Sequence, residues 1–180
     1  MKIYIGVRHG KKPDGTYDPG AVSHGLAEHE LAHEVVGHYA SALQAGGWTV
    51  IAEHHSGAGH DPDWHGSAKN ANNENVDYAD EVHFNAGGGT GTEVLIHPNT
   101  NSRNRRFAEL ASQYVSNALG IRNRGVKIRS DLGFLNSTRM PAAIAEIAFV
   151  DNETDRAAIH VPGWAENVGK ALARARMDAG

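Results

Sequence analysis

The chain has 180 residues, a formal net charge of −4, 40% apolar and 21% charged residues, and no cysteine. That length closes one hydrophobic core; the mild acidity gives no electrostatic ground for a nucleic-acid or anionic-membrane partner; and the missing cysteine excludes disulfides, thiolate chemistry and Cys-ligated zinc. Twelve histidines are the unusual feature, because imidazole is the commonest metal ligand.

In chain order, KIYIGV (2–7) reads as a strand ending at Arg8-His9-Gly10, and KKPDGTYDPGA (11–21) as a loop rich in Pro, Gly and Asp. The opening segment has too short an apolar run for a signal peptide, and no stretch is long enough to span a bilayer. A helix is expected from Glu28 to Ala45, stopped by Gly46-Gly47. WTVIAE (48–53) is a second strand, followed by the histidine-rich loop 54–66. A short helix over 67–75 precedes the strand ADEVHFNA (79–86), and GTEVLIH (91–97) is another strand. Residues 103–119 form an amphipathic helix. PAAIAEIAFV (141–150) is almost continuously apolar, as for a strand covered on both faces. Residues 164–177 form a closing helix. Strands alternating with helices predict one α/β domain over 1–180, a twisted, mostly parallel central sheet with helices on both faces.

Residues 29–33 spell His-Glu-Leu-Ala-His, the H-E-x-x-H pattern in which two histidines one helical turn apart hold zinc and the glutamate acts as base. On a helical wheel with Leu31 at zero, Leu31, Val35, Tyr39 and Ala42 cluster between about 0° and 80°, which marks a buried stripe. His29 and His33 fall near about 160° and 200°, and Glu30 near about 260°, so the wheel turns this motif toward solvent. Glu28, at about 60°, falls inside the stripe. A carboxylate facing a core must be paired, hydrogen-bonded or metal-bound; the competing reading is a helix-start glutamate favoured by the macrodipole.

Three further polar residues stand where apolar strands end: His9 after KIYIGV, His83 within EVHFNA, and Glu146 within PAAIAEIAFV. Residues leaving the carboxyl ends of strands in an open α/β sheet can converge. Two imidazoles and the Glu28 carboxylate would make a three-ligand zinc site with an open fourth position. Glu146 would then be the general base, its proton affinity raised among Ala, Ile, Phe and Val. Taken singly, each has a plain alternative: a loop histidine, a hydrogen-bonded core histidine, a partner for a buried arginine.

Four segments in order carry a resemblance to the zinc-dependent N-acetylmuramoyl-L-alanine amidases of the amidase-3 type, found in cell-wall autolysins and phage endolysins. They are RHGKKPDGTYDPGAV, GLAEHELAHEVV, ANNENVDYADEVHFNAG with GTEVLIH, and NRGVKIRSDLGFLNSTRMPAAIAEIAFVDNETD. The resemblance runs from residue 2 to about 160. It implies one catalytic zinc on His9, Glu28 and His83, with Glu146 as general base. It also implies hydrolysis of the amide between N-acetylmuramic acid and L-alanine of peptidoglycan; the lack of a signal peptide favours an endolysin role, and the lack of a spanning stretch argues against membrane insertion. Asn85, Arg124 and Lys127 are candidate substrate contacts, the two cations near stem-peptide carboxylates, with plain surface charge as the default reading for both. Arg8-His9-Gly10-Lys11 departs from the family's Gly-His-Gly-Gly, and Lys69 stands where the family often has arginine. The histidines at 54, 55, 60 and 65 are read as a solvated loop. No wall-binding domain is expected within the chain, and no oligomeric state is readable. The expected route is cytoplasmic accumulation followed by action at the wall, or export by another path. The competing functions are a zinc peptidase using residues 29–33 and a non-catalytic wall-binding module.

Overall fold

The computed structural model describes residues 1–12, 14–53 and 64–180, with the side chains of residues 64 and 65 outside the description. The loop histidines at 54, 55, 60 and 65 therefore lie outside the described side chains. The elements in chain order are strands β1 (Lys2–Val7), β2 (Gly10–Lys11), β3 (Tyr17–Asp18), β4 (Val22–Ser23) and β5 (Leu26–Ala27), helix α1 (Glu28–Ala45), β6 (Thr49–Ala52), α2 (Trp64–Asn73), β7 (Tyr78–Asn85) and β8 (Thr92–Ile96). They continue with α3 (Ser102–Leu119), β9 (Asn123–Ile128), α4 (Gly133–Ser137), β10 (Ala142–Phe149), α5 (Glu153–Ile159) and α6 (Trp164–Asp178).

Six strands form one sheet in the order β6-β1-β7-β10-β8-β9. The first four run parallel; β8 is antiparallel to β10, and β9 is parallel to β8. The expected mostly parallel α/β layer structure is what the chain adopts. β7 and β10 lie at the centre and are buried along nearly their whole length, β10 as an almost continuous apolar run covered on both faces. One face packs Ile5, Val82, Val94 and Ile147 against α1, α3 and α6. The other packs Tyr4, Ala79, Leu95 and Ile144 against Phe134 and Leu135 of α4 and Ala68 and Ala71 of α2. No described helix is long and apolar enough to cross a membrane.

Helix α1 spans the residues expected of it, but its buried arc is wider than the wheel stripe: Ala32, Val36, Ala40 and Leu43 are buried together with Leu31, Val35 and Tyr39. The cause is double packing, against the sheet on one side and α6 on the other. The helix expected at 67–75 begins three residues earlier, at Trp64. Elements absent from the sequence reading are short or irregular. β9 is a half-buried edge strand interrupted by Gly125 at φ +73°, so it shows no apolar alternation. The two-stranded pairings β2–β3 and β4–β5 lie within the Gly- and Pro-rich stretch read as loop.

One polar cluster ties the helical layer to the sheet. Arg176 of α6, 1% exposed, pairs bidentately with Asp80 of β7 and donates to Asn104 Oδ1 at 3.0 Å. Tyr39 of α1 donates to Asp80 Oδ2 at 2.7 Å, and Asn104 Nδ2 donates to the carbonyl of Ala142 at 2.9 Å. The guanidinium also lies 3.4 Å from the centroid of the Phe107 ring. Removing one member leaves an uncompensated buried charge. Arg176→Met is therefore expected to destabilise the fold by about 3–5 kcal/mol in urea unfolding, and Arg176→Met with Asp80→Asn to recover part of that loss.

Candidate metal centre

β1 stops at Val7 because the chain turns sharply: His9 takes a left-handed φ of +67° and Gly10 a φ of +100°. The turn brings the His9 ring against the β2–β3 hairpin. Asp18 of β3 meets it from the hairpin, with Oδ2 3.2 Å from His9 Nδ1. Burial works to raise the Asp18 carboxyl, but the Gly20 N–H and the His9 ring outweigh it and hold it at about 2. Anchored at Nδ1, His9 presents Nε2 to Glu28, 3.4 Å from Oε2. Gly20 admits this approach: at its φ of +72° a Cβ would stand 2.5 Å from Glu28 Oε2 and 2.7 Å from His9 Cδ2.

Glu28 opens α1 and is 5% exposed. Oε2 accepts the Ala21 N–H at 2.9 Å, and Oε1 accepts the Phe84 N–H at 3.2 Å. Oε1 also lies 2.8 Å from Nδ1 of His83, on the central strand β7. Burial raises this carboxyl too, and the hydrogen bond and charge of His83 reverse the shift, leaving it below the ordinary range. The other ring nitrogen of His83, Nε2, faces Glu81 Oε2 at 3.2 Å. Burial disfavours a charged His83, but Glu28, Glu81 and Glu146 overcome that and push the imidazole up to about 10.

His9, Glu28 and His83 each offer one ligand atom, and these atoms lie within 4.8 Å of one another. Two imidazole nitrogens and a carboxylate oxygen are a donor set suited to zinc with a position left open. The carboxylates that raise His83 make the pocket attractive to a cation. The residues therefore fit a divalent ion.

Sheet register brings Glu146 beside this cluster. It pairs with His83 on β7 and with Glu93 on β8. Glu146 is partly open to solvent, but its Oε2 is buried and has no hydrogen-bond partner among the described residues. Desolvation pushes its carboxyl up to about 7, with Glu28 and Glu93 adding to the rise and His83 and Arg8 opposing it. Arg8 itself is half-buried, and its Nε has no hydrogen-bond partner among the described residues.

The sequence-predicted quartet His9, Glu28, His83 and Glu146 is thus brought together. Asn85 and Arg124 meet at Glu93: Arg124 Nε lies 2.7 Å from Oε2, and Asn85 Nδ2 3.5 Å from Oε1. Arg124 also lies over the Phe149 ring at 5.0 Å. Lys127 sits further along β9, donating to the Arg124 carbonyl at 2.9 Å. The solvated reading of His29 is corrected: it is 8% exposed, with Nδ1 3.1 Å from the Arg8 carbonyl and its ring edge-on to Tyr17. At about 160° it lies inside the widened buried arc of α1. Glu30 is exposed as expected, and residues 29–33 contribute nothing to the three-donor cluster.

Asp18, Glu81 and Glu93 were missed from the sequence. Glu81 carried a signal, since two residues before His83 on a strand is the same face. The other two depend on hairpin and sheet pairing.

The amidase-3 family profile, described as N-acetylmuramoyl-L-alanine amidase, matches residues 3–176. The chain is 30% identical over 103 residues to N-acetylmuramoyl-L-alanine amidase CwlM of Bacillus licheniformis, covering 57% of this chain and 40% of that one. It is 26% identical over 181 aligned positions to the sporulation-specific N-acetylmuramoyl-L-alanine amidase of Bacillus subtilis, covering 96% and 66%. Thus the chain spans less than two thirds of both relatives. Its fold is also that of the solved catalytic domain of the CD27L endolysin targeting Clostridia difficile, with a TM-score of 0.82, 22% identity, and coverage of 99% and 97%.

The raised Glu146 carboxyl has a stability consequence in the metal-free protein. Folded Glu146 holds its proton to about pH 7, whereas the ordinary value is 4.5. The folded state therefore binds the extra proton across that window, and stability falls as pH rises through it. Glu146→Gln removes the effect. The variant is expected to be more stable than wild type at pH 8 by on the order of 2–3 kcal/mol and equal to it at pH 4, read by urea unfolding under chelator.

Proposed function

The chain belongs to the N-acetylmuramoyl-L-alanine amidase family, and from that premise we propose that it hydrolyses the amide joining N-acetylmuramic acid to L-alanine in peptidoglycan, an endolysin- or autolysin-type activity. The observation that carries the proposal is the buried Oε2 of Glu146, unpartnered among the described residues, beside the three converging donors of His9, Glu28 and His83. An acceptor left without a partner in a desolvated row is costly unless a reactant supplies the missing proton.

Zinc is the proposed cofactor, held by His9, Glu28 and His83, and supplies Lewis acidity toward the scissile carbonyl and the hydrolytic water. Glu146 takes the proton of the attacking water as the C–O bond forms. It then gives that proton to the departing L-alanine nitrogen as the C–N bond breaks, leaving a lactyl carboxylate and a free amino terminus. A carboxyl whose proton affinity lies near 7 suits both halves of this transfer. Asn85 and Arg124, gathered on Glu93, border the position of Glu146 and are proposed to meet polar and anionic groups of the stem peptide. Lys127 is proposed to extend that cationic edge.

Digestion of purified peptidoglycan tests the proposal. The expected products are intact stem peptides with free L-alanine amino termini and no new reducing sugar ends, their release abolished by chelator. Glu146→Gln is expected to lower kcat/KM by about 10²–10⁴-fold, while Glu30→Gln leaves it at the wild-type value. Cleavage within the peptide, or loss of activity in Glu30→Gln, would contradict this reading.

A further inference from the structure

His83 is flanked by carboxylates on both ring nitrogens: Glu28 Oε1 lies 2.8 Å from Nδ1, and Glu81 Oε2 lies 3.2 Å from Nε2. A neutral imidazole carries only one N–H. With both carboxylates ionised, both are satisfied only if the ring is an imidazolium, or if a cation occupies one nitrogen and the proton sits on the other. Glu28 also faces His9, and the three donors converge on that side. The cation side is therefore Nδ1, and the proton belongs on Nε2, pointing at Glu81.

Glu81 is 0% exposed, and among the described residues its second oxygen, Oε1, has no hydrogen-bond partner. Its register neighbours on β1 and β10 are Gly6 and Ile144, which bring no polar side-chain atom. A buried carboxylate with one partner is expensive to retain. It becomes affordable when that partner is a metal-bound imidazole, because the ion polarises the N–H and the carboxylate in turn makes the ring a better donor.

We infer that Glu81 is a positioning residue for the metal centre, holding His83 in the Nε2–H tautomer so that Nδ1 faces the ion. The inference rests on the metal site proposed above. Asp18 makes the complementary arrangement at His9, contacting Nδ1 and leaving Nε2 toward Glu28. The two histidines thus present different nitrogens to one point, each set by its own carboxylate. The burial differs: the side chain of Asp18 is 34% exposed and that of Glu81 is 0% exposed, so water can substitute for the first and not for the second.

The test reads zinc rather than turnover. Zinc affinity is measured by competition with a chromophoric chelator for wild type and Glu81→Gln, whose carbonyl still accepts the N–H but carries no charge. The variant is expected to bind zinc about 10–100-fold more weakly. Long-range ¹H–¹⁵N spectra of the zinc-loaded wild type supply a second readout that needs no variant to fold: His83 is expected to be metallated at Nδ1 and protonated at Nε2. Wild-type zinc binding with His83 metallated at Nε2, or with Glu81→Gln unchanged in affinity, overturns the role of Glu81 and leaves the proposed amidase function standing. Failure of the wild type to bind zinc overturns the metal site, and the role of Glu81 with it.

Discussion

The Glu28 carboxylate is where three separately formed pieces of chain meet. Its helix supplies the position, at the first turn of α1 where the wheel turns it inward. The hairpin segment supplies the Ala21 N–H and His9, while β7 supplies the Phe84 N–H and His83. Each oxygen thus accepts one backbone N–H and faces one imidazole. The backbone bonds fix where the carboxylate sits without using the capacity needed for an ion, and the position of Gly20 leaves no room for a side chain to wedge the contact apart. Everything else at the site is arranged around that point.

The central strands then decide what stands next to it. His83, Glu146 and Glu93 lie side by side across β7, β10 and β8, a row set by hydrogen-bond register alone. Packing so much negative charge into one end of a sheet is unfavourable unless cations share it. Arg124 answers Glu93, and Arg8 opposes the rise in Glu146. The remaining imbalance sits at Glu28 and Glu81 around His83, which is where a divalent ion is most strongly favoured. The electrostatics that make the pocket costly to fold are the same that would make it bind.

Much of this was legible in the residues because the strongest patterns are local. β1, α1 and β10 were found close to their true limits, since an apolar run or a 3.6-residue period needs no knowledge of the partner. Glu28 was placed inward by the same period, and the family resemblance assigned it the same position. Failures came where tertiary contacts decide. His29 was turned outward because the wheel assumes one packed face, whereas α1 meets both the sheet and α6. β9 was invisible because Gly125 and its charged neighbours break the alternation of an edge strand. Asp18 and Glu93 could not be tied to the site, because a hairpin pairing and an antiparallel register bring them there.

Direct location of the ion tests the account most sharply. Crystals grown with zinc and measured at the zinc absorption edge are expected to show one anomalous peak bonded to His9 Nε2, a Glu28 carboxylate oxygen and His83 Nδ1, with Glu146 beside it and not coordinating. A peak at His29 and His33, a peak elsewhere in the chain with none at Glu28, or no peak at all, would contradict it.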